Sequence, residues 1–130
     1  MTPKVYHLQM IQGVINRLSS NSFLIKGWSI TVVAAMIALL ARGAEKCYIL
    51  FSVLPVVMFW FLDSVYLHIE RSYTALFNEV RLLEENKIDF SMDVKKFGKS
   101  KNWFKAFFST TLLIYYLALI LTVFVIYIWL

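Results

Sequence analysis

The chain has 130 residues, of which 60 % are hydrophobic and 16 % charged, with a net charge of +5. A soluble domain this small carries roughly 25 % charged residues, so an ordinary water-soluble globule is excluded. Residues 106–130 contain no Asp, Glu, Lys, Arg or His, and a run of that length reads as a membrane span.

The length fits one domain. In such a chain, basic residues near the spans report orientation and contact with anionic lipid. A nucleic-acid partner is not expected, because none of the usual fold signatures is present. Cys47 is the single cysteine, which rules out an intramolecular disulfide framework. Small residues around Ala41–Ala44 faintly resemble a leader cleavage site. About 25 residues of amphipathic pattern precede the apolar run, however, which is too long for a normal leader, and no cleavage is expected.

Residues 1–22 predict an amphipathic cytoplasmic helix. Leu8, Ile11, Ile15 and Leu18 form an apolar stripe at helical spacing, continued loosely by Val5 and Ile25. Gly13 weakens this helix by about 1 kcal/mol relative to alanine. A helix lying flat on the membrane is the competing reading. Its polar face, with Lys4, His7, Gln9, Gln12, Asn16 and Arg17, is only weakly basic, which favours packing against another helix. The polar run Ser19–Ser22 is a candidate kink before the first span.

Residues 23–41 predict transmembrane helix 1. Lys26 lies in its first turn, where a lysine can snorkel to the headgroups. Gly27, Thr31, Ala34, Ala35 and Ala38 fall close to one face, and small residues allow close helix approach in lipid, within the chain or between copies. Residues 47–67 predict transmembrane helix 2. It contains Asp63 near its far end and Pro55, which frees a backbone carbonyl and is a candidate kink.

Residues 68–86 predict a cytoplasmic extension of that second helix. From Leu62 the apolar positions Tyr66, Ile69, Tyr73, Leu76, Val80 and Leu83 keep a heptad seam. Antiparallel packing against the N-terminal stripe pairs Leu8 with Val80, Ile11 with Leu76, Ile15 with Tyr73 and Leu18 with Ile69. The residue numbers of each pair have a nearly constant sum, as folding back near Gly43 and Ala44 requires. The same arithmetic sets Lys26 beside Asp63. An ion pair closing the inner end of the hairpin is one reading, and two groups reaching water separately is the other.

Residues 87–103 form a basic connector. Lys95, Lys96, Lys99, Lys101 and Lys105 occur with no acid among them, beside Phe97, Trp103 and Phe104. This suits contact with anionic lipid, or with a small anionic signal. Residues 104–130 predict transmembrane helix 3, roughly 40 Å long at 1.5 Å per residue, an excess that tilt would absorb. Thr111, Tyr115, Ala118 and Thr122 mark a mildly polar stripe there, for interhelix hydrogen bonds or a pore lining.

The positive-inside rule places the N-terminus and residues 68–103 in the cytoplasm, and the link near Arg42 and Lys46 and the C-terminus outside. The expected fold is an all-α integral membrane protein with three transmembrane helices, the first two extended into a cytoplasmic antiparallel helical hairpin. His7 and His68 are the only histidines, no cluster has metal spacing, and no nucleophile motif or phosphate loop occurs. Neither an enzyme nor a cofactor is expected.

At Asn21-Ser22-Phe23, Lys26-Gly27-Trp28, Phe59-Trp60-Phe61-Leu62-Asp63, and Glu70-Arg71 followed by Tyr73, the chain resembles a group of small bacterial membrane proteins from phage-defence and other conflict operons. In architecture it is also similar to the SLATT group, where a membrane hairpin joins cytoplasmic helices. The resemblance covers roughly residues 20–80, and the third span departs from a two-span plan. It implies an inner-membrane effector that assembles in copies when signalled. A pore or channel is one form of that expectation. A non-conducting adaptor that recruits a cytoplasmic protein through the hairpin is the other.

Overall fold

The computed structural model describes residues 2–97 and 100–129, and of residues 100–102 it describes the backbone alone. The described residues form an all-α chain in which three helices are long and apolar enough to cross a membrane. In lipid each backbone N–H and C=O must be satisfied within the protein, which is why these apolar runs are helices.

Helix α1 spans Pro3–Ala41 without a break, so the polar run Ser19–Ser22 is helical. Thr2 caps it, with its hydroxyl accepting from the Val5 N–H, and Pro3 occupies the first turn. The Glu85 carboxylate accepts from the Lys4 N–H, giving the positive end of the helix an acid that its own first turn lacks. At the other end Gly43 takes φ +97°, and the Gly43 and Ala44 N–H groups donate to Leu40 and Leu39 carbonyls. This left-handed closure is where the chain reverses. At 1.5 Å per residue α1 is roughly 58 Å long, about twice the hydrocarbon thickness, so one end leaves the apolar zone.

A 3-10 segment, Lys46–Ser52, leads into α2, Val53–Val80. Pro55, the candidate kink, falls in the first turn of α2, just past the change from 3-10 to α geometry at Ser52–Val53. The heptad pattern carried the helix to about residue 86, but α2 ends at Val80. The chain turns there because Leu83 and Ile88 fold over the Ile11, Leu76 and Val80 cluster while Glu85 reaches the start of α1.

The third span also differs from the expected single rod. Helix α3, Ser100–Phe107, is separated from α4, Thr110–Trp129. Ser109 makes the break, its hydroxyl accepting from the Leu112 N–H at 3.4 Å. With 20 residues, α4 is about 30 Å long and matches the hydrocarbon core without the excess that tilt was expected to absorb.

Helices α1 and α2 pack in antiparallel order, Ile11 clustering with Leu76 and Val80, and Val33 with Ile49 and Val56. Two apolar cores result. One holds Val33, Val56, Trp60, Leu112, Tyr116 and Val123 from α1, α2 and α4. The other holds Ile11, Leu76 and Val80, covered by Leu8, Ile15, Tyr73 and the segment through Phe97. Leu18 is buried but outside that cluster, and Ile69 is half-buried. The buried line on α2 runs through Asp63, Ser64, Ser72, Leu76 and Val80, so it shares Leu76 and Val80 with the apolar seam and departs from it between Leu62 and Tyr73. Burying Ser72 is tolerable because its hydroxyl donates to the His68 carbonyl.

Candidate functional site: an ion-pair node between two cores

Between the two apolar cores α1, α2 and α4 meet on polar groups. Lys26 Nζ lies 2.6 Å from Asp63 Oδ2. Asp63 is fully buried, whereas the Lys26 side chain keeps 21 % of its exposure. One helical turn before Lys26, the Ser22 hydroxyl donates to Asp63 Oδ1 and accepts from Lys26 Nζ at 2.8 Å. Spacing of four on α1 places both on one face, so Ser22, Lys26 and Asp63 close a ring.

Helix α4 supplies the rest. The Tyr116 hydroxyl donates to Asp63 Oδ2 at 2.9 Å, and the Tyr115 hydroxyl donates to the Lys26 carbonyl at 2.6 Å. Ser29 donates to the same carbonyl. A buried carboxylate is costly in apolar surroundings unless it is paired and hydrogen-bonded, and Asp63 has one cation and two hydroxyls. Beneath it, Trp60 lies between the rings of Phe107, at 4.5 Å, and Tyr116, at 5.9 Å, nearly parallel to both. Its indole N–H donates to the Phe107 carbonyl at 3.1 Å, and the Trp103 indole donates to Ser64. These bonds hold α3 and the start of α4 against α2.

The arrangement ties the three helices together through one buried carboxylate, and Asp63 has no solvent contact. Among the described residues no three His, Cys, Asp or Glu side chains come together as metal ligands would.

The other sequence candidates lie apart from this node. Gly27, Thr31, Ala34, Ala35 and Ala38 are all exposed, and a Cβ added at Gly27 would meet nothing within 4 Å. This face is not packed within the chain. Thr111, Ala118 and Thr122 are exposed on α4, with the Thr122 hydroxyl turned onto the Ala118 carbonyl of its own helix. Tyr115 leaves that stripe to bond Lys26. Lys96 pairs with Glu79 at 2.6 Å on the surface, and Lys95 and Lys105 are exposed. Lys99 and the side chain of Lys101 lie outside the described residues.

Ser22 and Tyr116 were not singled out from sequence. The available signal was the Tyr115–Tyr116 pair in a charge-free run, since each phenol in lipid needs a partner. His7 is a second omission. It is fully buried, its Nε2–H donates to the Ser91 carbonyl at 2.8 Å, its ring tilts against Phe90, and Nδ1 has no partner. Phe90 itself takes φ +55°, a left-handed conformation uncommon outside glycine. Comparison with family models, curated proteins and solved structures returns no match to this chain.

Proposed function

We propose that the chain is an oligomeric effector of the bacterial inner membrane whose assembled copies open a path through the bilayer. The observation supporting this is the bare small-residue face of α1. Gly27, Thr31, Ala34, Ala35 and Ala38 are all exposed in the single chain, and such faces drive helix association in lipid. Only 17 % of the apolar window of α1, and the same share of α4, is buried inside one chain, which leaves ample surface for neighbouring copies. Three helices are too few to enclose an aqueous path, so conduction needs several chains. Thr111 and Thr122, both exposed on α4, are candidates to line it, although the Thr122 hydroxyl donates within its own helix. In this reading the basic loops lie in the cytoplasm with the hairpin end of α1 and α2, in contact with anionic lipid or a small anionic signal. The resemblance to defence-operon proteins supplies the setting, membrane disruption during phage infection.

The test is single-particle imaging in detergent together with ion flux from liposomes. A ring or cluster with triggered flux supports the reading, and a monomer without flux removes it. One observation favours a second reading, a non-conducting adaptor: the node ties all three spans into one closed body. That reading expects a complex of fixed stoichiometry with a cytoplasmic partner and unchanged flux.

A further inference from the structure

A cavity of about 150 Å³ lies where α2 leaves its apolar stretch, lined by His68, Arg71, Ser72, Ala75, Phe97 and Lys105. We infer that this cavity is a binding site for a single phosphate group, at the level of the lipid headgroups. The inference is independent of whether the protein conducts ions.

Charge is the first ground. Arg71 and Lys105 come from different helices into one cavity whose lining contains no acid. Neither Arg71 nor Lys105 belongs to the ion pairs of the described residues, Lys26 with Asp63 and Lys96 with Glu79, and Glu70, beside Arg71 in the chain, offsets only part of the charge from outside the lining. Two cations lining one cavity repel, and an anion between them removes that repulsion. His68 adds at least one ring N–H in either tautomer. The Ser72 hydroxyl is already committed to the His68 carbonyl, so it adds no further donor.

Level and size identify the anion. Lys105 immediately precedes the charge-free run 106–130, and His68 follows the apolar stretch of α2. Both therefore sit at the edge of the hydrocarbon, where lipid phosphates lie. The volume is enough for a tetrahedral oxyanion. A planar guanidinium matches phosphate oxygens two at a time, and the ammonium acts as a point charge beside it. Phe97 and Ala75 supply the apolar part of the wall. The neighbouring groove shares His68 and Ser72 but carries both Asp93 and Lys95, so its formal charges cancel.

The experiment uses the full-length protein in phosphatidylcholine nanodiscs, with and without a minor fraction of phosphatidylglycerol. Lipid retained on the protein is read by native mass spectrometry. The Arg71→Gln/Lys105→Gln double variant should retain roughly tenfold less phosphatidylglycerol, the scale of losing charge-assisted hydrogen bonds. The Arg81→Gln/Lys87→Gln variant removes the same charge outside the cavity and should change retention less than about twofold. A second arm adds inorganic phosphate to nanodiscs lacking phosphatidylglycerol and follows thermal unfolding. An upward shift in the wild type, absent from the cavity variant, identifies a soluble phosphate as the source. Equal loss in both double variants overturns the proposal, as does failure of both probes to bind. Should the double variant lose helical circular dichroism, Arg71→Lys decides. It keeps the charge but not the fork, so a loss of about threefold or more supports the site and unchanged retention overturns it.

Discussion

Tyr116 on α4 donates its phenolic hydrogen to Asp63 on α2 at 2.9 Å, across 53 positions of sequence. That bond makes the third span part of the ion-pair node formed with Lys26. The adjacent Tyr115 binds a neutral carbonyl instead, so two neighbouring phenols on one helix hold bonds of different strength.

Tyr116→Phe should therefore destabilise more than Tyr115→Phe. A hydrogen bond to a charged group contributes about 1.5–3 kcal/mol and a neutral one about 1 kcal/mol. Thermal unfolding of both variants in the same detergent measures the difference. Equal shifts would mean that Asp63 does not depend on the phenol.

Lys26→Met leaves Asp63 buried with no cation. Breaking one side of a buried pair costs about 3–5 kcal/mol, and the lower end applies because Lys26 is partly exposed. Lys26→Met combined with Asp63→Asn removes the orphaned charge and should recover most of the loss. The check is a double-mutant cycle on unfolding in micelles. A double variant whose loss equals the sum of the Lys26→Met and Asp63→Asn losses would show that the two groups act separately.

The spans were legible because lipid imposes long charge-free runs, and Lys26 and Asp63 stood out as charges inside such runs. The break at Phe108–Ser109 was not legible, since neither glycine nor proline marks it. It arises from tertiary contacts, with Phe107 held on Trp60 and Ser109 capping α4. The end of α2 at Val80 was hidden for the same reason. The heptad seam continues, but Leu83 and Glu85 are used elsewhere. Tyr116 escaped notice because a tyrosine in an apolar run reads equally as packing, interface or ligand.

His7 holds the segment after α2 onto the start of α1. His7→Leu keeps an apolar body beside Phe90 but removes the donor to the Ser91 carbonyl. Amide exchange over residues 88–94 should then accelerate roughly tenfold, in line with the loss of a part-buried hydrogen bond and a freed carbonyl. Exchange within α4 should not change. Hydrogen–deuterium exchange in nanodiscs reads both regions in one experiment, and acceleration spread evenly over the chain would contradict a local clasp.

Gly27→Leu separates folding from assembly. The glycine is helical, and a Cβ there meets no atom within 4 Å, so the single chain has room for the larger side chain. Leucine also favours the helix over glycine, by somewhat less than the roughly 0.8–1.0 kcal/mol that separates alanine from glycine, so unfolding of the monomer should move slightly upward. Contact between copies across the Gly27, Thr31 and Ala34 face would be blocked, because close helix approach there depends on small residues. The expected outcome is a chain at least as stable as the wild type that no longer forms the cluster and conducts nothing in liposomes. Size-exclusion chromatography with light scattering reports the first property and flux the second. A variant that still assembles and conducts would remove this face from the interface and shift attention to α4, where Thr111 and Thr122 are equally exposed.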